Sequence, residues 1–196
     1  MSSLVNRLVK WGRVKRSKRL KVLSVLLGAL FFLVVLPFMM VLASSWLDKR
    51  LGLLPCPSPP INLIPGFVLV ISGLSLAAWS AWAQFNIGRG SPLPIAPTQR
   101  LVTAGPYGLC RNPMTLGELL YLTGLGLLLR SPSFLILTWA FLFPVVVAYL
   151  KLVEERELVA RFGEAYLAYK REVPFLLPRP RRSRGRCGGD GQSGKA

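Results

Sequence analysis

Two uninterrupted apolar runs decide most of what this chain can become. Val22 to Ser44 and Leu63 to Phe85 are each 23 residues long and hold no charged side chain. About 20 helical residues cross the hydrocarbon core of a bilayer, where the backbone must satisfy its own hydrogen bonds, so both runs predict membrane-spanning helices. The first exceeds the roughly 7–15 apolar residues of a secretory leader. Pro37 predicts a kink in it, of a kind membrane helices tolerate. Composition agrees: 52% of the 196 residues are hydrophobic, only 17% are charged, and the mean hydropathy is +0.47.

Two shorter runs follow. Leu116 to Leu129 has 14 residues and encloses Glu118; Phe134 to Leu150 has 17. The shorter would rise roughly 21 Å as a helix against a core of about 30 Å, so it spans only if the helix extends from Pro113 to Ser131. Arg130 to Ser133 reads as a tight turn, which makes the pair a helical hairpin; a re-entrant hairpin is the competing expectation. The expected fold is therefore all-α, an integral-membrane bundle of about four transmembrane helices, the last two as a hairpin, followed by a cytoplasmic amphipathic helix. Residues 1–21 form a basic lead-in, 22–178 the membrane domain, and 179–196 a basic tail without apolar periodicity that is expected to be disordered. Leu51 to Pro60 and Asn86 to Pro97 are rich in proline or glycine and predict irregular connections.

The formal charge of +17 suggests nucleic acid until it is mapped. Eight of the 25 basic residues lie between Arg7 and Lys21, and eleven lie from Lys151 onward. The first loop carries Lys49 and Arg50 beside Asp48, the second Arg89, Arg100 and Arg111. By the positive-inside rule both termini and the second loop are cytoplasmic, a pattern that four spans fit and three do not. The charge then reads as topology plus attraction to anionic membrane lipids, with no specific nucleic-acid partner. A multi-pass protein of a prokaryotic cytoplasmic membrane is the expectation. Cys56, Cys110 and Cys187 form neither a C-x-x-C pair nor a metal-ligand spacing, and the absence of histidine removes the commonest general base, so no metal site is predicted. Gly189 to Lys195 has the spacing of a phosphate-binding loop, but Ala196 stands where that loop needs Ser or Thr, and the match is read as chance.

The chemistry-bearing residues flank the hairpin. Lys151 to Pro178 is expected to continue as an amphipathic helix. At about 100° per residue from Leu152, Glu155 falls at about 300°, centred on the apolar face, and Glu154 at about 200° on its flank. Glu157, Arg161 and Glu164 fall on the polar side and are expected to be solvated. A carboxylate on a buried face costs roughly 3 kcal/mol in a membrane setting unless paired, so Glu155 calls for a cation. Arg111, just before a Pro113 suited to the first turn of a helix, is the expected partner. Glu118, about one turn inside the run, either completes this cluster or faces the interface. Arg89 and Arg100 read as ordinary anchors.

The stretch GRGSPLPIAPTQRLVTAGPYGLCRNPMTLGELLYLTGLGLLL, followed by EERELVARFGEAYLAYKREVPFLLP, resembles the isoprenylcysteine carboxyl methyltransferase and phospholipid methyltransferase family over about residues 86–178. The resemblance implies a multi-pass enzyme that uses S-adenosylmethionine, with Arg111, Asn112, Pro113, Glu154 and Glu155 in the cofactor site and the Gly105, Pro106, Tyr107 turn beside it. Arg111 and Glu155 are the expected catalytic pair. Two positions depart from the family pattern: Asn112 stands where many members carry histidine, and Thr115 where a tyrosine often follows the methionine. The implied reaction is methyl transfer to a lipophilic acceptor, an isoprenylcysteine-like carboxylate or a phospholipid-like headgroup, with O-methylation favoured over N-methylation. The alternatives are an NADPH-dependent membrane reductase of sterol-reductase-like architecture and a non-enzymatic membrane scaffold.

Overall fold

A computed structural model of the chain describes residues 17–55, 61–91 and 96–178. The expectations for the basic lead-in before Ser17, for Cys56 and Cys187, and for the tail with its loop-like match lie outside those residues. The described residues are helical or irregular, with no strand among them. Helix α1 is Lys18–Leu51, α2 is Leu63–Asn86, α3 is Pro113–Leu129, α4 is Pro132–Phe162 and α5 is Glu164–Glu172. Helices α1, α2 and α4 are long and apolar enough to cross a membrane, and α3 is a shorter apolar helix. Their outward surfaces are apolar: Ile71 is 63% exposed and Phe141 is 68% exposed, as expected of side chains that meet lipid.

Each boundary follows from local chemistry. Ser17 accepts from the Leu20 N–H at 3.3 Å and opens α1, which closes at Gly52 with φ +61°. Helix α1 thus runs past the expected Ser44 and takes Asp48, Lys49 and Arg50 into its last turns. Just before Pro37, α1 carries a widened turn at Phe31–Val35. Because Pro37 has no N–H, the carbonyl four residues earlier, on Leu33, loses its usual partner. The Tyr121 hydroxyl of α3 donates to that oxygen at 2.9 Å. The lesion in one helix is thereby repaired by its neighbour.

Helices α2 and α3 touch backbone to backbone. A Cβ added at Gly73 would lie 2.5 Å from the Gly117 carbonyl oxygen, and one at Gly117 would lie 2.7 Å from that of Gly73. Two helical turns away, a Cβ on Gly124 would lie 2.7 Å from the Gly66 oxygen. This antiparallel glycine seam is the small-residue packing by which membrane helices attract without a hydrophobic driving force between them. It makes α2, rather than α4, the principal partner of α3, so the expected hairpin is only part of α3's environment.

The far end of the bundle is tied by side chains. Asp48 accepts from the Ser133 N–H at 3.1 Å and from the Ser131 hydroxyl, while Ser131 itself caps α4 by accepting from Phe134 N–H at 3.1 Å. The Asn62 amide donates to Leu127 O at 3.1 Å and satisfies the end of α3. The turn at 130–133 therefore lies level with the end of α1 and the start of α2. Met40, Leu122 and Phe134 form the core where α1, α3 and α4 meet.

The expected single helix from Lys151 onward is corrected. Helix α4 itself continues to Phe162, with widened turns at Leu137–Leu142 and Leu150–Glu154, and Gly163 at φ +56°, ψ −131° breaks it. That conformation is open to glycine and strongly disfavoured for other residues. Helix α5 then starts afresh and folds back on α4.

Gly117→Val or Gly73→Val should cost about 1–3 kcal/mol, because backbone rather than a flexible side chain stands in the way. Tyr121→Phe should cost about 1 kcal/mol by orphaning the Leu33 carbonyl. Thermal unfolding in detergent reads both, and an unchanged midpoint for the valine variants would refute the seam.

Candidate functional site

The site forms where α3 begins and α4 ends. Asn112 precedes α3 and Pro113 occupies its first turn, so Arg111 stands at the helix mouth. The widened turn at Leu150–Glu154 rotates the last part of α4 and aims Glu155 at it. Arg111 Nη1 donates to Glu155 Oε1 at 2.5 Å, with both side chains only 11–12% exposed. Lys170, brought back by α5, donates to Glu155 Oε2 at 2.6 Å and is 42% exposed. Both carboxylate oxygens are thus engaged by cations. The Tyr166 phenol lies against the Arg111 guanidinium, and burial, then the Glu155 charge, raise its pKa to about 12.

After α5, residues 173–178 cross the helix mouth as a strap. The Arg111 N–H donates to Pro174 O and the Asn112 side-chain amide to Phe175 O, each at 2.9 Å. The Phe175 ring lies 5.5 Å from the Arg111 guanidinium carbon and 5.2 Å from Lys151 Nζ, within cation–π range of both. Asn112, at the position where the resembled family often carries histidine, is here the anchor of the strap.

The expected residues separate into two groups. Arg111 and Glu155 meet directly, and Asn112 and Pro113 adjoin them. Glu154 bears electrostatically on both Tyr107 and Tyr166. The Gly105, Pro106, Tyr107 turn instead packs inward: Pro106 and Tyr107 are buried, and Gly105 at φ +64° lies against the Trp79 ring. The Gln84 amide donates to the Tyr107 hydroxyl, and the Tyr169 hydroxyl donates to Tyr107 O at 2.7 Å. Burial chiefly, with the Glu154 charge adding to it, pushes the Tyr107 phenol well above its usual value against the opposing Gln84 bond. This turn holds α2 and α5 at fixed positions beside the ionic cluster. Glu118 is outside that cluster; its Oε1 is buried without a hydrogen-bond partner.

Glu157 and Arg161 are corrected. They pair at 3.0 Å with side chains 14% and 8% exposed, and Arg161 also donates to the Thr98 carbonyl, which ties α4 to the 96–104 loop. The angular reading put both on the side away from the apolar face, but the loop carrying Thr98 packs on that side and covers them. Glu164, Arg89 and Arg100 are exposed as expected. Lys170 and Phe175 were not foreseen. Lys170 follows Tyr169 on a face expected to be apolar, and only the fold-back at Gly163 brings it to Glu155.

This arrangement defines a helical membrane protein with a partly buried ionic cluster at one end. Residues 61–165 match the family model described as phospholipid methyltransferase, and the chain belongs to that family. Over 122 residues it is 33% identical to protein-S-isoprenylcysteine O-methyltransferase of Rattus norvegicus, which covers 58% of this chain and 40% of that protein. The counterpart in Homo sapiens is 31% identical over 124 residues, 59% of this chain and 40% of that one. The cobalt-zinc-cadmium resistance protein CzcN of Cupriavidus metallidurans is 38% identical over 82 residues, 40% of this chain and 36% of that protein. The matches therefore span only about 40% of the relatives' own lengths.

Replacing Arg111 by Gln should destabilise the fold by about 2–3 kcal/mol, since it strips the less exposed cation from a buried carboxylate. Lys170→Gln should cost under about 1 kcal/mol. Equal shifts in thermal unfolding would contradict the burial order. Tyr166 ionises near 10 when unfolded and near 12 when folded, so its contribution to stability holds below pH 10 and fades as pH rises from 10 to 12. An ultraviolet phenolate titration should lose one late component in Tyr166→Phe.

Proposed function

We propose that this chain is an S-adenosylmethionine-dependent membrane methyltransferase acting on a lipophilic acceptor, with a carboxylate favoured as the methylated group. The observation that carries this reading is the Arg111–Glu155 pair, joined across the start of α3 and the end of α4 in a chain of the phospholipid methyltransferase family. The names of the isoprenylcysteine O-methyltransferase relatives add support for O-methylation.

The residues present suit the cofactor. Arg111 Nε is buried without an acceptor, which leaves an oriented donor for a carboxylate beside the nitrogen that already grips Glu155. Glu154 and Glu155 are acceptors for an ammonium group or for ribose hydroxyls. When bound, S-adenosylmethionine supplies an electrophilic methyl group on a sulfonium. Arg111 would hold a carboxylate, that of the cofactor or that of the acceptor, and the two glutamates would fix the polar remainder. The strap of residues 173–178 would keep water from the helix mouth. In this reading the Arg111 end of the bundle is cytoplasmic, and the acceptor enters sideways between helices.

A carboxylate acceptor needs alignment and no general base. An amine acceptor must lose a proton, which in a chain without histidine falls to a carboxylate such as Glu154 or to a tyrosine, and Tyr166, a neutral phenol until about pH 12, is a poor base at neutral pH.

Calorimetric titration of S-adenosylmethionine, or of its demethylated product, into detergent-solubilised protein should show saturable heat that Glu155→Gln reduces at least about tenfold in affinity. Absent heat with the folded wild type would end the proposal, and NADPH binding in its place would favour a reductase. Radiolabelled methyl groups should enter prenylated thiol acids. Label in an amine headgroup in their place would reverse the choice of acceptor.

A further inference from the structure

The fold-back of α5 leaves a groove on the outer side of the ionic cluster, which shares Glu155 with the methyl-transfer site. It has a volume of about 350 Å³ and is lined by Lys151, Glu155, Arg156, Val159, Ala160 and Lys170. The first five residues lie along one side of α4, at i, i+4 and i+8 from Lys151 and at i and i+4 from Arg156, and Lys170 forms the opposite wall from α5. Three cations therefore face a floor made of Val159 and Ala160.

The charge balance favours an anion. Glu155 is the one carboxylate in the lining, and its two oxygens are occupied by Arg111 and Lys170. Its negative charge is therefore already matched, and Lys151 and Arg156 stand in excess of it. Lys151 has the Phe175 ring beneath its ammonium group, and Arg156 is exposed. The ammonium end of a zwitterionic headgroup would find only Glu155 here, whose charge two cations already offset.

Position selects the source of the anion. Lys151 directly follows Leu150, the last residue of the apolar run that crosses the bundle. On the turn that leads into the groove, Tyr149 is 50% exposed and Leu152 is 46% exposed. Apolar and aromatic side chains so placed belong at the boundary between acyl chains and headgroups. The groove opens one turn beyond that boundary, where lipid phosphates would meet it.

We propose that the groove between the end of α4 and α5 binds the phosphate of an anionic membrane phospholipid, held by Lys151, Arg156 and Lys170. The site is independent of the methyl-transfer reading, because it requires neither cofactor nor turnover. Its occupant shares Lys170 with Glu155 and so touches the same cluster from the lipid side.

The test is native mass spectrometry of the full chain in mild detergent, offered equimolar dioleoylphosphatidylglycerol and dioleoylphosphatidylcholine. The wild type should retain one phosphatidylglycerol in preference to phosphatidylcholine. The double variant Lys151→Gln, Arg156→Gln, both at surface positions, should retain about thirtyfold less, at about fivefold for each cation removed near a membrane surface. The pair Lys18→Gln, Arg19→Gln removes the same charge from the start of α1 and should leave retention unchanged. Equal retention of the two lipids would overturn the proposal, as would an equal loss in the control pair. Displacement of the lipid by millimolar inorganic phosphate would reassign the groove to a soluble anion and overturn the lipid assignment.

Discussion

The approach of α2 to α3 through glycine governs this structure. Gly73 and Gly117 bring two backbones so close that a single methyl group would strike a carbonyl oxygen, and Gly66 and Gly124 repeat the contact at the other end. Close approach supplies dispersion contacts that bulky side chains would prevent, and in a lipid setting those contacts largely replace the hydrophobic effect. Once α3 is held this way, Arg111 at its mouth has a defined position. Tyr121 on the same helix is also brought to the Leu33 carbonyl that Pro37 leaves unsatisfied.

Backbone satisfaction organises the rest of the bundle. Asp48 reaches from α1 to the start of α4, and Asn62 reaches from the start of α2 to the end of α3. Both polar residues lie at helix ends, where orphan donors and acceptors accumulate. They close one end of the bundle as a structural cap. At the other end the same need is met differently. The strap carbonyls of Pro174 and Phe175 take the Arg111 N–H and the Asn112 amide, leaving the guanidinium and the carboxylates to face one another.

Much of this was legible in the residues. The charge-free run from Leu63 to Phe85 anticipated α2 to within a residue, and Pro113 and Arg130 to Ser133 marked the ends of α3. The pairing of Arg111 with Glu155 followed from the cost of a lone carboxylate on an apolar face. The glycine seam left a signal, Gly66 and Gly73 at seven-residue spacing opposite Gly117 and Gly124, but spacing alone does not say which helix a glycine faces. The solvated reading of Glu157 and Arg161 failed because it treated the side away from the apolar face as open to water. Their angles hold within the helix Glu155–Phe162, but angles do not show that the loop carrying Thr98 packs on that side.

The sequence by itself determined that the chain is a helical membrane protein, where its apolar helices lie, and that Glu155 needed a cation. These follow from local sums, the transfer free energy of a run of side chains and the cost of one buried charge. Only the tertiary structure decided that α3 pairs chiefly with α2, that Lys170 returns to share Glu155 with Arg111, and that Asn112 holds a strap across the helix mouth. Those outcomes depend on distances between segments as much as 63 residues apart, set by backbone contact at glycine and by a turn that only Gly163 readily adopts.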